Sequence, residues 1–88
     1  TIIEKNDFRI ERIVSNGFSS SEGYWYNQNF DEIVFLLQGN AVIEFENAKT
    51  IEMKNGDYLA IPKHKKHRVK NLSKEPNCIW LAIHGELL

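Results

Sequence analysis

Cysteine is almost missing from this chain: Cys78 stands alone among 88 residues, so no internal disulfide can form. A fold that needs no oxidation suits a reducing compartment, and a cytoplasmic location is the expectation. Cys78 itself reads as a small apolar strand residue, not a nucleophile. No apolar run reaches the ~18 residues needed to cross a bilayer, and no signal-peptide pattern is present. The first residue is Thr1, not methionine, so a few terminal residues are expected to be missing from the sequence. Excess charge of one sign is also lacking. Eleven basic residues face twelve acidic ones for a formal net charge of -1, which gives no global field to draw nucleic acid or membrane. A Gly-rich phosphate loop, a CxxC pair and a Ser/His/Asp signature are all absent, leaving nucleotide hydrolysis and acyl transfer without support.

What is present is ordinary soluble-domain material, 42% hydrophobic and 26% charged, enough for one domain over residues 1–88. Short strand-like runs alternate with turn residues. Phe8–Val14 is the first. Glu32–Gln38 is nearly all apolar, as suits a strand buried on both sides or lining a barrel. Gly39-Asn40 follows it as a two-residue hairpin signal, and Ala41–Glu46 alternates with a period of two. Further strands are expected over Ala48–Met53, Asp57–Ile61, His67–Leu72 and Cys78–His84, with Pro62 ending one because it has no N–H to donate. Ser15–Gly23 and Ser73–Asn77 read as loops. Turns every eight to twelve residues and no required helix mean an all-β sandwich or barrel.

The segment Gly56–Asn71, GDYLAIPKHKKHRVKN, carries a glycine turn, a strand, a proline and two histidines three residues apart. It resembles the second motif of the cupins, G-x5-P-x-G-x2-H-x3-N, in Gly56, Pro62, His67 and Asn71, with His64 replacing the family glycine. The cupin first motif, G-x5-H-x-H-x3-4-E-x6-G, is met by Glu32 and Gly39. Its two histidines fall on Tyr26 and Gln28, and its leading glycine on Ser20. The resemblance runs from about Tyr24 to His84 and implies an all-β double-stranded β-helix, the jelly-roll or cupin barrel, with motif residues pointing inward.

In metal-binding cupins these positions surround one divalent ion, which puts Gln28, Glu32 and His67 forward as metal ligands here. Glutamine offers only a neutral carbonyl oxygen, and Tyr26 would have to lose a proton of pKa near 10. The set is poor for tight zinc and better matched to manganese, iron or nickel. His64 would add a second imidazole if its loop folds inward. Without a metal, Glu32 would instead be a buried carboxylate hydrogen-bonded to Gln28 and Tyr26, with His67 as partner.

Tyr26, Gln28, His64 and Trp80 are the expected ligand-binding residues, and Glu32 and His67 the expected catalytic pair. In the closing strand Trp80, Ala82 and His84 share one face and Ile79, Leu81 and Ile83 the other. Either face could be core, so His84 has no firmer claim than this alternation. Tyr24, Trp25 and Tyr26 supply aromatic surface, for a pocket wall or for the core. Lys63–Lys70 (KHKKHRVK) reads as a solvated positive rim, or as one attracting an anionic substrate. The expectation is a small barrel binding a small polar ligand, with or without a divalent metal (Mn, Fe, Ni or Zn). The alternative is a metal-free, non-catalytic sensor or an oligomeric structural barrel. If it is an enzyme, the family implies isomerase, dioxygenase or lyase chemistry. No nucleic-acid or membrane partner is expected. A homodimer is, with the strand around Ile10 free to pair with a neighbour.

Overall fold

A computed structural model describes residues 2–5, 7–15, 25–73 and 76–88, with Asn71 described by its backbone only. Ser20, Tyr24 and nearly all of the loop expected over Ser15–Gly23 lie outside the described residues. Among the described residues eight strands run in chain order: β1 (Ile3–Glu4), β2 (Phe8–Ser15), β3 (Asp31–Gln38), β4 (Ala41–Phe45), β5 (Thr50–Met53), β6 (Tyr58–Ile61), β7 (His67–Leu72) and β8 (Cys78–Gly85). All pairings are antiparallel. They form a five-stranded sheet ordered β1-β2-β8-β3-β6 and a three-stranded sheet ordered β5-β4-β7. This is the jelly-roll arrangement of two sheets, and no described helix is long and apolar enough to cross a membrane.

The period-two pattern decides what is buried. In β4 the residues Ala41, Ile43 and Phe45 are buried while Val42 and Glu44 are half-exposed. In β8 the choice between faces is settled: Cys78, Trp80, Ala82 and His84 point into the core, and Ile79, Leu81 and Ile83 point away. Val34 and Leu36 of β3 and Ile61 of β6 complete the five-stranded sheet's share of the core.

Gly39-Asn40 does not form the expected hairpin. β3 lies inside its sheet with β6 on one edge and β8 on the other, so no edge is left for β4. The two residues instead carry the chain round a corner into the second sheet. Gly39 N–H donates to Asn55 Oδ1 at 2.6 Å and Asn40 N–H to Ser73 Oγ at 3.1 Å, replacing ladder bonds with side-chain ones. The hairpin comes one connection later, between β4 and β5. The free edge expected near Ile10 is not seen within the chain either. Ile10 pairs with Ile83 on one side, and the short β1, which the sequence did not signal, places Ile3 on the other.

The corner has strict spatial demands. Gly39 has φ +106°, and a Cβ there would stand 2.8 Å from both Cys78 Sγ and Ser73 Oγ. Gly56 has φ +87° but open space around it. Gly56→Ala should therefore cost only backbone strain, ~1–2 kcal/mol. Gly39→Ala should cost a further ~1–3 kcal/mol for overpacking. Urea midpoints at unchanged m-value test this ordering, and equal losses would refute the corner as a packing constraint.

Candidate functional site

The site begins with strand register. Glu32 on β3 is the direct cross-strand partner of His84 on β8, and His84 is in turn the partner of Arg9 on β2. Directly opposite residues project from the same face with Cβ atoms about 5 Å apart, so the three side chains lie in one row on the inner face. Glu32 continues the row to Ile61 of β6. His67 reaches the same place from the opposing sheet, at the start of β7.

Within the row, His84 Nε2 lies 2.7 Å from Glu32 Oε2, and Arg9 Nη2 lies 3.2 Å from His84 Nδ1. His67 Nε2 stands 3.6 Å from Glu32 Oε1, an ion-pair distance too long for a hydrogen bond. The other His67 nitrogen, Nδ1, is 3.0 Å from the Lys65 carbonyl, which can only accept, so Nδ1 carries a proton. Tyr26 is bound to His67 by a pair of backbone hydrogen bonds, 2.7 and 3.2 Å, and its ring stacks on the imidazole with centroids 5.5 Å apart. Phe30 packs against His84 with centroids at 4.8 Å.

Burial raises the Glu32 pKa, but the two imidazoles facing it outweigh burial and hold the carboxyl down at about 2. For His67, burial favours the neutral ring, yet Glu32 and the Lys65 carbonyl together raise its pKa above the usual 6.5. A carboxylate and an imidazole whose protonated form it favours thus face each other across a short gap, with side chains only 13% and 7% exposed.

These groups form one end of a cavity of about 230 Å3 between the two sheets. Tyr26, Gln28, Glu32, His67 and His84 line its polar end, while Val34, Ile43, Ile61, Val69, Trp80 and Ala82 form its walls. The structure therefore brings together Tyr26, Gln28, Glu32, His67 and Trp80. It does not bring in His64, which is exposed, holds φ +64° where the second motif has glycine, and lies 3.4 Å from Asn27 Oδ1 through its ring. Its backbone N–H donates to Gln28 O at 2.7 Å, so His64 ties the loop to the site without lining it. Trp25 lies under the Arg68 guanidinium, 4.9 Å from its ring centroid. Arg68 also donates to Glu44, and Lys66 pairs with Glu46 at 3.2 Å, so part of the basic rim is neutralised locally.

His84 and Arg9 are the site residues that sequence reasoning did not select. Their signal was the alternation that put His84 on the Trp80 face, but placing that face beside Glu32 required the strand register. Asp31 is a second buried carboxylate, with a structural task. It accepts from the backbone N–H groups of Lys63, Leu87 and Leu88 at 2.9–3.0 Å, which lower its pKa.

Among the described residues no group of three or more His, Cys, Asp and Glu side chains is placed to hold a metal ion. The hydrogen-bond chemistry gives a reason. A guanidinium only donates, so His84 Nδ1 accepts from Arg9 and the ring hydrogen sits on Nε2, facing Glu32, where a metal would need a lone pair. His67 Nδ1 is spent on the Lys65 carbonyl, and Glu32 favours a proton on Nε2, which works against the lone pair a metal would need there. Gln28, Glu32 and His67 share the cavity, but in this arrangement the donors do not fit an ion.

Comparison with known proteins agrees with the geometry. The family model Cupin_2, described as "Cupin domain", matches residues 14–84. The Bacillus subtilis (strain 168) uncharacterised protein YdbB is 29% identical over 77 residues, 88% of this chain, and the chain spans 66% of the length of that relative. Among solved structures, a candidate mannose-6-phosphate isomerase from Ralstonia eutropha JMP134 superposes with a TM-score of 0.93 at 38% identity, over 98% of this chain and 81% of that one. A cupin superfamily protein from Desulfitobacterium hafniense DCB-2 does so with a TM-score of 0.78 at 26% identity, over 97% and 72%. Eight antiparallel strands, inward-facing Glu32 and His67 at their motif positions, and a family match over most of its length together place this chain in the cupin family.

Proposed function

We propose that the barrel binds, without a metal, a small molecule that has a polar head and an apolar body. The observation carrying this is the 3.6 Å gap between Glu32 Oε1 and His67 Nε2 in the lining of a cavity with apolar walls. The gap leaves an acceptor and a donor facing one another without a mutual hydrogen bond. A hydroxyl head group can donate to Glu32 and accept from His67 at once, while its body lies against Trp80, Ile43 and Val69. The pair also has the opposite protonation states that acid–base chemistry uses. A hexose phosphate, suggested by the Ralstonia neighbour's name, suits the cavity less well. Ile13, Val34, Ile43, Ile61, Val69, Trp80 and Ala82 make the larger part of the lining apolar, so many sugar hydroxyls would meet unpaired wall.

Quenching or enhancement of Trp80 fluorescence should follow titration with short-chain hydroxy acids and alcohols, and a Trp80→Phe variant separates this signal from Trp25. Glu32→Gln should weaken binding about tenfold or more, equivalent to ~1.4 kcal/mol. Hexose 6-phosphates should give no response at millimolar concentration. Elemental analysis on protein purified without chelator provides the opposing outcome: stoichiometric metal in the wild type that disappears in His67→Ala would overturn the metal-free reading.

The ion pair has a pH signature of fixed sign. Glu32, lowered from 4.5 to about 2, stabilises the fold above its unfolded pKa, and this is lost as pH falls towards 2. His67, raised from 6.5, stabilises the fold below that value, and this is lost as pH rises through its folded pKa. The deficit of Glu32→Gln relative to wild type should therefore peak between about pH 4.5 and 6.5, at ~2–3 kcal/mol, and shrink on both sides. A flat deficit from pH 3 to pH 9 would refute the pair.

The barrel further acts as a homodimer, joined through the outer face of its five-stranded sheet. Ile10, Ile83 and Ile33 form one cross-strand row there, and Leu81, Phe35 and Tyr58 the next, bounded on the β2 side by Arg12, with the Phe35 and Tyr58 rings 5.7 Å apart and Tyr58 69% exposed. A contiguous apolar face of this kind is what isologous dimers bury. Light scattering at micromolar concentration should give twice the chain mass, and Phe35→Glu should shift it to the monomer. A monomeric wild type would remove this assembly.

A further inference from the structure

We infer that Asn55-Gly56 is a deamidation site that the fold holds closed while its turn is bonded to β3, and that reacts once the turn opens. No ligand and no cavity residue takes part. Glycine after asparagine leaves the backbone nitrogen of residue 56 unshielded, and the space a Cβ would take at Gly56 is open. In an open chain that nitrogen loses its proton and attacks Asn55 Cγ. A C–N bond forms, the carboxamide nitrogen leaves with the proton as ammonia, and a five-membered imide results. Water then adds to either imide carbonyl. One opening gives aspartate at 55, the other an isoaspartyl link in which the main chain runs through Cγ.

In the barrel both reacting groups are occupied. The turn over residues 54–57 closes through Asp57 N–H to Lys54 O at 2.9 Å, with Lys54 N–H on Asp57 Oδ2 at 2.8 Å. It is fastened to β3 by Gly56 N–H to Leu36 O at 2.7 Å and by Leu36 N–H to Asp57 O at 2.9 Å. The Asn55 side chain reaches the corner, where its Oδ1 accepts from Gly39 N–H at 2.6 Å. That bond alone would favour attack, because it draws electrons from Cγ. The nucleophile decides the outcome. An imide nitrogen carries no hydrogen, so the bond from Gly56 to Leu36 must be given up before the ring can close. Asn55 and Gly56 are both exposed, so hydrogen bonds and not burial keep the pair from reacting. Local opening of the turn is the gate. The two products leave different structures behind. Aspartate still offers Gly39 an acceptor, whereas an isoaspartyl link adds a carbon to the main chain of the turn and shifts Gly56 and Asp57 away from Leu36.

The test is peptide mapping of ligand-free wild type incubated at pH 8, folded in buffer and unfolded in guanidinium chloride. Mapping separates Asn55-Gly56 from Asn16-Gly17, the other Asn-Gly step, which lies outside the described residues. The unfolded chain should accumulate isoaspartate at 55, and the folded protein should do so about tenfold or more slowly. Protein with the isoaspartyl link, separated by chromatography after refolding, should have a lower urea midpoint than Asn55→Asp, which keeps the acceptor for Gly39. Failure of the isoaspartyl form to refold while Asn55→Asp does so counts with the lower midpoint. A folded-state rate close to the unfolded one, no reaction at 55 in the unfolded chain, or equal midpoints for the two products would each overturn the inference.

Discussion

A carboxylate placed inside a barrel wall imposes more on this molecule than any other group. Left alone, Glu32 would take up a proton or pull water inward, since an unpaired buried charge costs several kcal/mol. Here it stays ionised because imidazoles from both sheets face it, His84 from the strand beside it and His67 from across the core. The requirement spreads outward. His84 presents its Nε2 hydrogen to the carboxylate, and the Arg9 guanidinium meets its other ring nitrogen. His67 must keep its ring turned inward, and the Lys65 carbonyl fixes its other nitrogen. Tyr26 then has to cover His67, which it does through paired backbone bonds and a stacked ring. Two sheets are thus coupled at one point by charge as well as by apolar packing.

Much of the fold was legible because β-structure writes itself with a period of two. His67–Leu72 matches its observed strand residue for residue, and the other strands expected from the sequence shift by no more than two residues at an end. What alternation cannot supply is adjacency. It placed His84 with Trp80 and Ala82 but could not say that this row runs beside Glu32, because β3 and β8 are separated by some forty intervening residues. The hairpin expected at Gly39-Asn40 failed for the same reason. Glycine at a positive φ marks a sharp change of direction, and whether the chain folds back on its own strand or crosses to another sheet depends on which edges are already taken. β1, two residues long, lies below what periodicity can detect.

The second-motif stretch shows how a family pattern can survive a change in one of its glycines. The position held by His64 needs a left-handed backbone, which glycine adopts freely and histidine tolerates better than most residues do. The loop keeps its shape through the His64 N–H to Gln28 bond, and the imidazole is left outside the cavity. Residue identity alone suggested a second imidazole for the site. The backbone assigns that role to a residue twenty positions later in the chain, His84.

The upstream changes can be understood on the same physical footing. Where two first-motif histidines would have offered lone pairs to a common point, Tyr26 offers a ring face and Gln28 a neutral amide. With fewer lone pairs converging there, the carboxylate of this structure faces the two histidines near it. His84 and His67 differ in how they do so. His84 is locked by Arg9 on one side and Glu32 on the other, with both nitrogens committed. His67 has one nitrogen committed and the other facing Glu32 across a gap too wide to close. A short contact on the His84 side and a longer one on the His67 side make the site asymmetric.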